Sequence, residues 1–578
     1  MIDTLIIGAG PSGLCAAKTF LQRDPSADVV LLDARASLGG VWSREQLYPT
    51  LRTNNLRGTL DFADFPMGDG FGAAEGEHVA GEAMHAYLDA YAGRFGVRDR
   101  IRFGTRVVEV RRREGGEEGW AVRTVVQGRN GREEEGETLR CRKLVVATGV
   151  LSVPHMPDLK GLADFGGLVM HSSELGPRSE ALTHDATIGT VAVLGGGKSA
   201  YDAVYLAATT GHKVRWIIRK SGRGPVWVFP PHTYLGPFRA WKEKLVTRRF
   251  FSFMSPCVWP DFSGAGWLRR FLHRSWLGKR VVRAFWGVIH HDTIRDCGYR
   301  TDEKFGVLEP EQNPFWYGTA SGVINYEQDF YSHIRSGQVH IHREDISHLS
   351  SHAIHLADGS ELSADAFIAA TGFSAKPTIS FEPASIHSNL GLPTTHMDKA
   401  QRQIWAELDA KADRAIATQF PQLLSGISSN ATDSADDAGG YTPWRLYRGI
   451  APPGLAAAGD RSLVFLGMFS NLANTTRLEV QCLWALAYLE GRLPLPEQDR
   501  LWEDTALSQR WAQHRAPYGH GRSYPDLVFD QLPYWDLLLS DLGLETRRKG
   551  WLLRELFEPY SPEDYTGVVE EWMVKNRE

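Results

Sequence analysis

Two glycine-rich turns, each preceded by an apolar β-branched run and followed by an alanine-rich stretch, restrict this chain to a small set of folds. The first runs Asp3-Thr4-Leu5-Ile6-Ile7-Gly8-Ala9-Gly10-Pro11-Ser12-Gly13 and reaches Val29-Val30-Leu31-Leu32-Asp33-Ala34. The second runs Val191-Ala192-Val193-Leu194-Gly195-Gly196-Gly197-Lys198-Ser199-Ala200 and reaches Arg215-Trp216-Ile217-Ile218-Arg219-Lys220. A buried strand that ends in so tight a turn needs glycine, a second glycine lets the backbone approach a pyrophosphate, and the next helix aims its N-terminus at that anion. Gly8, Gly10 and Gly13 fill all three places in the first copy. Gly195 and Gly197 fill two in the second, with Ala200 at the helix-packing place.

The charges that follow differ in sign. About 20 residues past each turn stands Asp33 in one case and Arg219-Lys220 in the other, where an acid suits a free ribose and a base suits a 2′-phosphate. The expected cofactors are therefore FAD at the start of the chain and NADPH, bound as NADP after hydride transfer, in its middle. Single glycine turns are common, so the weight lies in two copies that share the strand, turn, helix and charge context.

At 578 residues the chain is too long for one core. A net charge of −5 gives no sign of a nucleic-acid partner. The five cysteines, Cys15, Cys141, Cys257, Cys297 and Cys482, are widely spaced and contain no C-x-x-C pair. Free thiols in a reducing compartment follow, and a disulfide reductase, the other large class with two nucleotide sites, lacks its dithiol here. No signal peptide is read before the first strand, and no apolar run reaches the ~20 residues needed to span a bilayer. The expected compartment is the cytosol.

Each nucleotide unit has a later strand that returns to it and stops at Ala-Thr-Gly: Lys143-Leu144-Val145-Val146-Ala147-Thr148-Gly149 and Phe367-Ile368-Ala369-Ala370-Thr371-Gly372. The fold class expected is α/β, with two nested, Rossmann-like, three-layer dinucleotide-binding domains and a helical aromatic-rich insertion. Residues 1–160, completed by 375–490, form the FAD domain. Residues 161–224 and 330–374 form the NADPH domain. Residues 225–329 are an insertion, read as a helical cap whose aromatic face packs on the NADPH domain and closes the substrate cavity. The basic amphipathic pattern at Trp267-Leu268-Arg269-Arg270-Phe271 leaves a lipid-touching surface as the other reading. Residues 491–578 are an extension packing on the FAD domain. The charged stretch Gly128–Glu137 reads as a solvated hairpin tip.

Together these segments resemble the class B flavin monooxygenases, in particular the N-oxygenating flavin-containing monooxygenase branch as elaborated in fungal secondary metabolism. A near match to its Phe-x-Gly-x-x-x-His motif runs from Phe165 through Gly167 to His171, with Leu175 in place of the usual aromatic. The resemblance implies a monooxygenase that consumes NADPH and O2, forms a C4a-(hydro)peroxyflavin, and inserts one oxygen atom into a sizeable, natural-product-like molecule. The alternatives are Baeyer–Villiger chemistry and a flavin oxidase or reductase without oxygen transfer. The resemblance also points to Asn54, in Arg52-Thr53-Asn54-Asn55, as the amide beside the reactive flavin edge, and to Gly40, Val41 and Trp42 as its neighbours. Thr53, Asn55, Val107, Thr148 and Gly149 join the expected FAD contacts, and Lys198, Ser199, Thr371 and Gly372 the NADPH contacts. His171 is expected to pack or hinge, not to act as an acid or base. No metal site and no oligomeric state is read from the sequence.

Overall fold

Ile2–Ile7 is the central strand of the first sheet because Leu5, Ile6 and Ile7 are buried on both faces, as parallel strands covered by helices must be. The computed structural model describes residues 1–576 apart from 114–117, 129–131, 151, 236–237, 375, 396 and 426–440. Ile2–Ile7 pairs in parallel with Val29–Leu32 on one side and with the end of Glu133–Val146 on the other. The long strand Glu133–Val146 begins in an antiparallel meander with Trp120–Gln127 and Thr105–Arg112 and ends in the parallel layer. Leu463–Phe465 pairs with that end, so a strand more than 300 residues away completes the sheet. Helix Pro11–Arg23 covers one face, and helix Asn474–Leu489, buried from Thr475 to Leu489, packs on it.

A second sheet is parallel throughout, in the order Val339–His342, Lys213–Ile217, Thr190–Leu194, Ala366–Ala369, Leu168–His171. Helix Lys198–Thr209 lies against it. Its strands come from between those of the first sheet, which gives the nested α/β arrangement of two Rossmann-type units. In both units the first glycine of the turn meets the returning strand. A β-carbon on Gly8 would lie 2.6 Å from the Ala147 carbonyl oxygen, and one on Gly195 would lie 2.3 Å from that of Ala370. Those contacts join each turn to its Ala-Thr-Gly strand.

The insertion differs from the expectation in two ways. It is not helical throughout, since His232–Leu235 and Phe238–Trp241 form a hairpin and Val228–Phe229 pairs with Gly322–Val323 at its root. Nor do its aromatics gather on the second unit. Trp227, Tyr299 and Phe305 do so, but Phe251, Trp259, Trp286 and Phe315 join the core of the first unit and the C-terminal helices. The cause is a set of buried polar anchors in 498–576. The Trp511 indole donates to the Pro256 carbonyl at 2.6 Å, and Arg249, 2% exposed, pairs with Asp536 and with Glu555 at 3.3 Å. The charged stretch is also only partly a tip, because Glu133–Glu137 lies within a strand and 129–131 lie outside the described residues.

Asp536→Ala removes one of the two carboxylates paired with the buried Arg249 guanidinium, and is expected to destabilise the protein by about 3–5 kcal/mol in denaturant unfolding. Replacing the whole buried triad, Arg249→Met with Asp536→Leu and Glu555→Gln, should recover most of that loss. A triple variant no more stable than the single one would show that the triad is not what holds the insertion to the C-terminal helices.

Candidate functional site

At the first turn Gly8 adopts φ +107, and Gly13 has no room for a side chain, since its β-carbon would lie 1.8 Å from the Gly8 carbonyl oxygen. Gly10 is the N-cap of helix Pro11–Arg23, with no side chain capping the first amides. Its only near neighbour is the backbone of Gly40, 3.5 Å from where a β-carbon would be. Gly39 donates to the Ala9 carbonyl at 2.9 Å, which brings Gly40, the exposed Val41 and the half-buried Trp42 to the turn. Asp33 is buried, and its carboxylate accepts from Ala9 N at 2.7 Å and Arg35 N at 2.9 Å. Thr105 donates to the Asp33 carbonyl at 2.8 Å, placing the strand of Val107 beside it, while Ala34 is exposed.

Strand Arg52–Leu56 carries Asn54 exposed and Thr53 buried. The Thr53 hydroxyl donates to the Asn55 carbonyl at 2.7 Å and accepts from Val79 N at 3.0 Å, so it shapes the strand. Asn55 donates to the Leu472 carbonyl at 2.9 Å and to Glu243. The loop containing Leu472 begins at Gly467, whose β-carbon would lie 2.8 Å from Ser12 Oγ, and leads into the helix starting at Asn474. First turn, asparagine strand and this loop therefore border one region. The hydroxyls of Thr475 and Thr476 at the start of that helix are buried without a hydrogen-bond partner among the described residues.

The second turn repeats the pattern. Gly195 has φ +143, the Trp216 indole donates to its carbonyl at 2.8 Å, and Gly197 caps helix Lys198–Thr209 with no side-chain hydrogen bond. Nothing lies within 4 Å of where a Gly197 β-carbon would be. Ser199 is exposed in the first turn of the helix. The Lys198 ammonium points away from the turn, to Asp202 and to Asn325 Oδ1 at 2.9 Å. Asn325 in turn donates to the Arg52 carbonyl at 3.0 Å and faces Asn54 Oδ1 at 3.4 Å. Two side chains thus connect the second turn to Asn54.

Arg219 and Lys220 stand exposed just past strand Lys213–Ile217. Arg343, just past the neighbouring strand Val339–His342, lies against Gly224 of the loop after Arg219, and its Nη1 is buried without a hydrogen-bond partner among the described residues. The two Ala-Thr-Gly ends also meet. His155 N donates to the Gly372 carbonyl at 3.0 Å, Ser374 N to that of Val153 at 2.8 Å, and the Thr371 hydroxyl to that of His155. Thr148 accepts from the Thr378 hydroxyl at 3.2 Å beside Gly149. His171 is 1% exposed, and its Nδ1 accepts from Ser173 N at 3.1 Å within a capping box with Glu174.

Glu243, Asn325, Arg343 and the 469–475 loop are absent from the sequence reading. For Arg343 a weaker signal existed, a base directly after strand Val339–His342, much as Arg219 closely follows Lys213–Ile217.

A family model described as pyridine nucleotide-disulphide oxidoreductase matches residues 5–230, from the first strand to just past the second charged cluster. The FAD-dependent monooxygenase resA of Aspergillus sclerotiorum is 35% identical over 100% of this chain and 99% of its own length. The chain belongs to the FAD-dependent monooxygenases. A second relative, the FAD-dependent monooxygenase rstn6 of Aspergillus nomiae, is 34% identical over 99% of this chain and 98% of its own. In fold, this monooxygenase resembles the NADP+-bound cyclohexanone monooxygenase of Rhodococcus sp. Phi1. The TM-score is 0.58 at 18% identity, covering 94% of this chain and 97% of the other. All five cysteines are buried and free.

Burial pushes the Glu243 carboxyl up to about 7, and burial with the negative Asp64 nearby pushes Glu479 up to about 8. Such a group holds its proton more tightly when folded. Its stabilising contribution is therefore complete below about 4.5 and is lost as the pH rises through about 7 for Glu243 and about 8 for Glu479. The melting temperature should fall between pH 5 and pH 9, and Glu243→Gln should flatten the part of that fall centred near neutrality. An unchanged profile in Glu243→Gln would mean that the carboxyl is not the titrating group.

Proposed function

We propose that the first turn holds FAD, the second holds NADPH, and the enzyme inserts one oxygen atom of O2 into a sizeable organic substrate of natural-product kind. The observation that carries this reading is the connection Lys198–Asn325–Asn54, which sets the nicotinamide nucleotide's turn beside the strand assigned to the flavin edge. The residues present fit both cofactors. Two helices of 13 and 12 residues start at uncapped glycines, where amide groups are free to meet a pyrophosphate. The orphaned hydroxyls of Thr475 and Thr476 suit the polar edge of a flavin. Arg219, Lys220 and the unpartnered Arg343 Nη1 suit a 2′-phosphate. When bound, FAD takes hydride from NADPH and, with O2, supplies the oxygen atom that the substrate receives, the other leaving as water.

The protein's tasks are orientation and exclusion of water. Asn54 offers an uncharged amide at the reacting edge, where a charge would draw in solvent. Asn325, held by Lys198, fixes that amide, and Glu243 holds Asn55 and, through Leu56 N at 3.3 Å, the backbone of the strand. Residues 1–160 with 375–490 serve as the FAD domain, 161–224 with 330–374 as the NADPH domain, 225–329 as the cover and 491–578 as its brace.

Two measurements test the assignment. Arg219→Ala should raise KM for NADPH about 10–100-fold by loss of a charge-assisted bond while leaving NADH use unchanged. Equal effects on both nucleotides would remove Arg219 from the phosphate site. The NADPH-reduced enzyme, mixed rapidly with oxygenated buffer, should show a near-ultraviolet absorbance transient before the oxidised flavin spectrum returns. In Asn54→Ala the flavin should stay bound, the transient should shorten, and more of the NADPH consumed should appear as hydrogen peroxide. A lifetime equal to that of the unmodified enzyme would assign the amide's role to another residue.

A further inference from the structure

Half of the large apolar side chains that stand exposed among the described residues come from two short stretches, 267–288 and 551–557. So do all three exposed tryptophans. In helix Gly266–Arg274, Trp267 is 63% exposed, and Phe271, Arg270 and Arg274 share its outward face at helical spacing. Ser275 caps the next helix, Trp276–Cys297, through Gly278 N at 2.9 Å, and there Trp276, Leu277 and Val281 are exposed. Helix Leu552–Phe557 and the residue before it add Trp551, Leu552, Leu553 and Phe557.

These three elements are one surface because they share a base. Leu268, Leu272, Val282, Phe285 and Leu556 turn inward onto a small core with Phe253 and Met254, and the Phe250 and Phe557 rings lie 5.4 Å apart. The charge is one-sided. Between Asp261 and Asp292 the sequence holds no acid, but it holds Arg269, Arg270, Arg274, Lys279, Arg280 and Arg283, in a chain whose net charge is −5. In the third element Glu555 is buried against Arg249, and Arg554 pairs with Glu558.

We propose that this surface docks on an anionic lipid bilayer, lying in its interface without crossing it. Tryptophan favours the depth where acyl chains meet headgroups, and arginine reaches phosphates while its stem stays over apolar surface. The Arg280 guanidinium already sits 4.0 Å above the Trp276 ring, a pairing that keeps both at that depth. No helix among the described residues is long and apolar enough to cross a membrane. A second copy of the chain is the competing occupant, and charge disfavours it. A two-fold pair would set the arginines of 269–283 against one another with no acid between 262 and 291 to separate them. The surface is also tied to the site. Glu243, which holds Asn55, lies on helix Lys242–Val246, and the next helix, Arg249–Phe253, supplies Phe253 to the core beneath the docking face.

The test sediments the full-length, FAD-loaded protein with phosphatidylcholine vesicles, with and without phosphatidylserine. It should partition onto the anionic vesicles, with tryptophan emission shifted to shorter wavelength, and release at high salt. Arg270→Gln/Arg274→Gln/Arg280→Gln should weaken that partitioning about a hundredfold, each cation near an anionic surface contributing severalfold. Trp267→Ser/Trp276→Ser/Trp551→Ser should lose both binding and emission shift while NADPH oxidation in vesicle-free buffer stays unchanged. Failure of the unmodified protein to bind anionic vesicles at low salt would overturn the proposal. So would self-association that the tryptophan substitutions abolish, which would make the occupant a second copy. Neither readout needs turnover, so the outcome is independent of the assigned reaction.

Discussion

The structure depends on two places where a β-carbon cannot exist. At Gly8 and again at Gly195, the carbonyl of an alanine on the returning strand, Ala147 or Ala370, takes the space a side chain would fill. Close approach of this kind lets a strand end directly under a nucleotide turn, and it accounts for the Ala-Thr-Gly ending in each case. The glycine of that ending, at φ +72 for Gly149 and +83 for Gly372, then swings the chain out of the sheet. The two emerging segments pair through Pro154 and Phe373, so the constraint that shapes each turn also sets one unit against the other.

Within that frame the site is assembled from far-separated polar side chains whose burial has a cost. Glu243 reaches in from the insertion, loses solvation, and recovers part of the loss from Asn55, Leu56 N and Thr59. Lys198 gives its charge to Asp202 and Asn325 and leaves its backbone N–H at the turn. The result is a strand, Arg52–Leu56, held from several sides while Asn54 remains exposed. A site that must orient a reacting centre and keep water from it needs such rigidity behind an uncharged amide more than it needs a catalytic acid or base.

Both turns, their strands and the place of Arg219 were legible in the sequence, because each follows from local pattern and a fixed spacing. Asp33 was legible as a position, and the structure adds that its carboxylate is bound to the turn it serves. What local pattern does not carry is tertiary choice. Asn325 and Glu243 come from a region whose contacts cross 188 to 271 residues, and Arg343 follows a strand, Val339–His342, that joins the second sheet only after the insertion, so no spacing from the turn selects it. The aromatic insertion shows the same limit. Its spacing marks amphipathic helices but does not say which stripe faces inward. Arg269 is 6% exposed beneath Phe253, and His273 Nε2 donates to the Phe253 carbonyl at 2.9 Å, while Trp267 faces out.

That inversion bears on what covers the surface. Burying a large aromatic side chain stabilises a fold by ~2 kcal/mol or more, so a helix with a free choice would turn Trp267 inward and Arg269 outward. Here the opposite orientation is fixed by specific partners. The Arg269 Nη1 donates to the Trp259 carbonyl at 3.5 Å, and Gln422 lies 3.1 Å from His273, so each polar side chain finds a partner inside while the aromatic ones are left outside. Three tryptophans so placed, two of them in a stretch with cations and no acid, gain nothing from water. Their orientation makes physical sense where the medium outside is itself half apolar and carries negative charge, as the headgroup region of a membrane does.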